Sequence, residues 1–219
     1  MLGFGDNNTA RGRVTAVRSP TCDQIDVQNQ HEMSRGNPRA LHLFCFRSSR
    51  GQNMVSAVDI PVTTVREGTN AEDMANAIFG NGVSVLSASY TGDIDSAGIY
   101  NVDTNAALGT TPGRTGVILS TGEAEDYTNS SGEANQSNFT STNTSGQNNN
   151  SDFNAAAGAR TYDASYLDVD FIPDNNVMTM QFTFSSDEFP EFQNSIFQDF
   201  VGVWVNGQLI EMEVGDDDI

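Results

Sequence analysis

The residues best equipped for chemistry lie between positions 186 and 199, in the run SDEFPEFQNSIFQD. Asp187, Glu188, Glu191, Asn194 and Asp199 are interleaved there with Phe189, Phe192 and Phe197. Carboxylates set among phenyl rings must be solvated, paired or bound to a cation, because burying an unpaired carboxylate is prohibitive. Calcium suits them, since it takes six to eight oxygen ligands from carboxylates, amides and water. A second group, Glu123, Glu125 and Asp126 in GEAED, projects from the end of the short apolar run GVILS. Asp187, Glu188, Glu191, Asn194 and Asp199 are therefore candidate calcium ligands, with Glu123 and Asp126 contributing from the strand-end loop. Each can equally be an ordinary solvated acid.

The competing chemistry is glycoside hydrolysis, for which two carboxylates suffice, Glu188 as acid and Glu191 as nucleophile. Their spacing argues against it. On a strand, residues three apart point to opposite faces, and Pro190 between them disrupts regular pairing. An enzymatic role is accordingly the less favoured reading. TGDIDSAG places Asp93 and Asp95 two apart, but lacks the glycine and terminal glutamate of an EF-hand loop and reads as a turn with solvated acids.

Both cysteines (Cys22, Cys45) and both histidines (His31, His42) precede Met54, at spacings of nine, eleven and three that fit no usual zinc pattern. From Met54 onward a Ser-His-Asp triad, a Cys-His pair and a His-ligated metal are all excluded.

The net charge is −19, and all ten basic residues are arginine. Such a chain repels nucleic acid and anionic membranes and attracts cations. Its composition breaks near Met54: residues 1–53 carry seven arginines against four acids, a net +3, and the remaining 166 carry three arginines against 25 acids, a net −22. The first part shows no sustained helical or strand period. Residues 1–53 are therefore expected to be a disordered or mistranslated extension, and 54–219 a domain that folds equally well when it begins at Met54. Neither candidate start has a basic region followed by an apolar one, which points to a misassigned start or to an export signal beyond Ile219. No run reaches transmembrane length.

The elements that must position these residues follow from pattern. Residues 56–65 read as a strand broken at Pro61. Thr69 and Glu72 form a capping box ahead of Ala71, Met74, Ala75 and Ile78, spaced for one face of a short helix over about 70–79, with Gly80 placed for its C-terminal cap. Strands are expected at 83–90 and 116–120. Residues 128–151 are almost wholly Asn, Ser, Thr, Gly and Gln and read as a mobile surface loop rather than an ordered binding loop. Leu167, Val169 and Phe171 alternate with Asp168 and Asp170, and this strand is expected to form a hairpin with 177–185 across residues 174–176. Residues 200–205 read as a strand buried on both faces, with Trp204 in the core. Asn206-Gly207 is the signal for a type I′ turn into a return strand at 209–214.

The run F-x-F-x-S-x-E-F-P-E-F over 182–192, followed by D-x-x-G-x-W-V-N-G over 199–207, resembles the choice-of-anchor L domain of bacterial surface and secreted proteins. The resemblance extends back through TNAEDMANAIFGNGVSV, TGVILSTG and TYDASYLDVDFIP, from about residue 62 to the end. It implies an extracellular or cell-surface β-rich domain with no well-established biochemical activity. Strands and turns every ten or so residues argue for a mainly β fold, a β-sandwich with one short α-helix, and the resemblance implies a jelly-roll-like version of it. Family domains carry further strands past this point, so an open sheet edge available for self-association is also expected. The expected function is a non-catalytic interaction module, stabilised by calcium and binding a glycan, surface polymer or protein.

Overall fold

The computed structural model of the chain describes residues 9–19, 41–44, 60–102, 111, 113–125, 142–175, 177–184 and 198–212. The elements are β1 (Ala10–Ser19), β2 (Leu41–Phe44), β3 (Val62–Thr64), α1 (Ala71–Phe79), β4 (Val83–Thr91), β5 (Ala97–Asn101), β6 (Thr115–Leu119), α2 (Ser151–Ala157), β7 (Tyr162–Pro173), β8 (Met180–Thr183), β9 (Gln198–Val205) and β10 (Gln208–Leu209). They form two five-stranded sheets, ordered β10-β9-β1-β7-β4 and β3-β5-β6-β2-β8. The first is antiparallel throughout; in the second, β2 runs parallel to both β6 and β8.

Alternation explains how the sheets share a core. Successive side chains of a strand point to opposite faces, so β7 sends Leu167, Val169 and Phe171 inward and Asp168 and Asp170 outward. Val14 and Ala16 of β1 and Val201 and Val203 of β9 join them from the same sheet, opposite Ala97, Val117 and Leu119 of the other. Met74, Ala75, Ile78 and Phe79 of α1 pack into the same cluster, with the Phe79 and Phe171 rings 4.8 Å apart. The result is the mainly β sandwich with a short helix at 71–79.

Several expectations differ from the structure. Residues 10–19, assigned by composition to an extension outside the domain, form a strand inserted between β7 and β9, and residues 41–44 pair between β6 and β8. The alternation of Ala10, Gly12, Val14 and Ala16 with Arg11, Arg13 and Thr15 is a strand period; small residues and arginines conceal it because neither looks like ordinary strand composition. Strands β7 and β8 form no hairpin. Both edges of β7 are taken by β1 and β4, and the chain crosses after residue 175 into the opposite sheet. The N-cap of α1 is Asn70, whose side chain accepts from the Asp73 amide, whereas the Thr69 hydroxyl donates to the Thr63 carbonyl instead.

A second helix, α2, follows directly on the polar stretch. Asn150 caps it by accepting from the Asp152 and Phe153 amides, and Gly158 ends it at φ 64°. Residues 142–150, read as mobile, are pinned by side-chain bonds. Asn148 accepts from the Asp163 amide and Ser145 donates its hydroxyl to Asp93, while the backbone of Gln147 bridges to Ala164. The Asn-Gly turn forms as expected, with Asn206 and Gly207 at φ 52° and 78°, but the described return strand is only Gln208–Leu209.

Candidate functional site

Asp187, Glu188, Glu191, Asn194 and Asp126 lie outside the described residues, as do Cys22, His31 and Cys45. Asp199 lies on β9, half-buried, its backbone in register with Arg18 of β1. Glu123 is exposed in the loop after β6. Among the described residues, no three His, Cys, Asp or Glu side chains stand together as a set of metal ligands.

The acids that the structure does bring together are bonded within the fold. In the β4–β5 turn, Asp93 accepts from the Asp95 amide at 3.0 Å and from the amide and hydroxyl of Ser145 at 2.8 and 2.7 Å. These bonds, the Asp95 amide first, hold its carboxyl below the ordinary carboxylate pKa. Asp95 takes both oxygens to the Arg66 guanidinium. The Ala124 amide donates to the Asp95 carbonyl and the Thr144 hydroxyl to the Thr121 carbonyl, so three loops are tied at one end of the sandwich. The reading of Asp93 and Asp95 as merely solvated therefore gives way to that of structural acceptors. Beneath them the Tyr90 hydroxyl donates to the Asp93 carbonyl and meets the Ser165 hydroxyl at 3.0 Å; burial pushes its pKa up to about 12.

A second polar constellation occupies the outer face of the first sheet. Register aligns Ser89 of β4, Asp168 of β7, Arg13 of β1, Trp204 of β9 and Leu209 of β10 in one row across all five strands. The next row places Ser87, Asp170 and Arg11 side by side. Arg13 donates its Nε and Nη2 to the two oxygens of Asp168 at 2.6 and 2.9 Å, and its Nη1 lies 3.4 Å from Asp152 of α2. Its guanidinium also sits over the Tyr166 ring, 4.9 Å from the centroid. The Asp168 hydrogen bond is the chief reason that the Arg13 pKa is raised.

α2 stands on this face. Phe153, fully buried, packs edge-on to Tyr166 at 5.2 Å and against Trp204 at 5.4 Å. Trp204 is thus half-buried on the outside of the sheet under α2 and does not enter the core between the sheets. Its ring lies along β9 over Gly202, where a Cβ would come within 2.5 Å of the indole, so only glycine permits this pose. Beyond α2 no described residue covers the floor: Arg11 is exposed and Asp170 partly so, their Nε and Oδ1 stand 3.7 Å apart, and the Ser87 hydroxyl donates to the other Asp170 oxygen at 2.9 Å. The outward-facing Asp168 and Asp170 were legible in the pattern of β7. Their arginine partners were not, because they come from a segment read as lying outside the domain.

Residues 62–215 match the family described as the Choice-of-anchor L domain. No curated protein and no solved structure matches the chain. No described helix is long and apolar enough to cross a membrane.

Proposed function

Because the chain belongs to the Choice-of-anchor L domain family, we propose that it is a surface-associated, non-enzymatic module that works outside the cell by binding a glycan, surface polymer or protein. The observation that supports this reading is the disposition of the described acids. Asp93, Asp95 and Asp168 are each occupied in holding loops, strands or arginines together, which is scaffold chemistry rather than proton transfer. The loop cluster of Asp187, Glu188, Glu191 and Asn194, together with Asp199, would bind calcium and tie the segment before β9 to the sandwich; Glu123 and Asp126 would contribute from the loop after β6. Self-association through a sheet edge belongs to the same reading. The described edge strand β4 carries no charged side chain over nine residues, and a sedimentation profile independent of concentration would refute it.

The calcium part rests on charge. A chain at −19 repels itself, and a cation bound only by the folded state stabilises it by RT ln(1 + [L]/Kd). Millimolar calcium at a Kd of about 10⁻⁴ M adds roughly 1.4 kcal/mol, a rise of a few degrees in Tm. The melting curve is compared in calcium, magnesium and sodium at matched ionic strength, since screening acts alike in all three. A calcium-selective rise that disappears in Glu188→Gln and Asp199→Asn is the expected result; identical curves in the three salts would remove calcium from the proposal. Polysaccharide turnover that Glu188→Gln abolishes would replace the binding module with a glycosidase.

A further inference from the structure

We propose that the outer face of the first sheet, floored by Ser87, Ser89, Asp168, Asp170, Arg11 and Arg13, binds a neutral polysaccharide. This inference deepens the binding-module reading and rests on it.

Charge selects the ligand class. Two arginines stand here among the acids Asp168, Asp170 and Asp152, so the face is close to neutral although the whole chain carries −19. A polyanion is repelled by the rest of the surface. A cation finds these carboxylates already facing arginine. A neutral polyol meets neither obstacle, and its hydroxyls both donate and accept.

Geometry supplies the groups. Arg13 and Asp168 form a closed, two-bond fork, which fixes both side chains in place. Arg11 and Asp170, in contrast, stop at 3.7 Å, beyond hydrogen-bond reach. Their facing atoms leave a charged donor and a charged acceptor side by side on an exposed floor, an arrangement that takes two adjacent hydroxyls. Ser87 fixes the far oxygen of Asp170, so the acceptor is oriented before any ligand arrives. All these residues sit on hydrogen-bonded strands rather than on loops, which gives a site its precision. The floor from β4 to β1 spans two strand spacings, about 10 Å, longer than a single sugar ring. Trp204, half-buried beside α2, forms an aromatic step along one side, against which the apolar face of a sugar can rest.

The experiment is affinity electrophoresis of the full chain in native gels containing hydroxyethyl cellulose, galactomannan, xylan or dextran, with polygalacturonate as the anionic comparison and EDTA throughout. Retardation is expected in at least one neutral gel and not in polygalacturonate. The double variant Arg11→Gln, Asp170→Asn should lose it by tenfold or more in apparent Kd, whereas Glu72→Gln on α1 should not. Melting curves establish that the variants remain folded, and the single variant Arg11→Gln replaces the double one if the latter is not. Retardation that survives in the folded variant overturns this face while leaving the module reading intact. No retardation in any neutral gel, or retardation only in polygalacturonate, overturns the neutral-polysaccharide assignment itself.

Discussion

Starting the chain at Met54 removes β1 from the middle of its sheet and β2 from between β6 and β8. β1 holds eight register pairs with β7 and eight with β9, on the order of sixteen backbone hydrogen bonds, each contributing about 1 kcal/mol net. Ordering its ten residues costs about 1–2 kcal/mol each, so these two terms nearly cancel. The deciding term is apolar area. Ala10, Val14 and Ala16 leave the core, and the flanks of Leu167, Val169, Phe171, Val201 and Val203 lose their cover. This is on the order of 400 Å² of apolar surface, or about 10 kcal/mol. The whole stability of a domain is about 5–15 kcal/mol, so the shortened chain should show no cooperative unfolding transition. The assay is thermal and urea unfolding followed by circular dichroism and Trp204 emission, on the full chain and on residues 54–219. Equal melting temperatures and equal urea midpoints would refute the reasoning and return residues 1–53 to the status of an extension.

Arg13→Ala leaves Asp168 buried without its guanidinium and should cost about 3 kcal/mol in urea unfolding; Arg13→Ala with Asp168→Ala should cost less than the sum of the single changes. Asp93 has a depressed folded pKa, so its contribution is present above its ordinary value of 3.8 and is lost as pH falls through the lower folded value; hydrogen exchange at the Ser145 amide should accelerate there, and Asp93→Asn should remove that pH dependence. Tyr90 has a raised folded pKa, so the stability it contributes is full below about 10 and falls as pH rises toward about 12; ultraviolet titration of the phenolate should find one fewer late-titrating tyrosine in Tyr90→Phe. Phe153→Ala should undock α2 at a cost of about 3–5 kcal/mol, read as a red shift of Trp204 emission.

The sequence by itself determined the local periods and the turn chemistry. Alternation named the inward residues of β7. The 3.6-residue spacing named Met74, Ala75 and Ile78 as the buried side of α1, and Asn206-Gly207 required a turn with positive φ. These are properties of neighbours within a few residues, where covalent geometry and side-chain size suffice.

Only the tertiary structure decided which strands share a sheet. Residues 162–173 and 180–183 carry the same period, and either could face the core from one sheet or from two; the hairpin between them gave way because β1 and β4 occupy both edges of β7. It also decided which charges meet. Arg13 and Asp168 are 155 positions apart, Arg66 and Asp95 are 29 apart, and Asp93 and Ser145 are 52 apart. A strand's period records which face is buried but carries no label for its partner, and an ion pair depends on two strands being neighbours in register. Composition pointed the wrong way for β1 because its outward arginines, which read as foreign to an acidic domain, are there to meet the outward aspartates of β7.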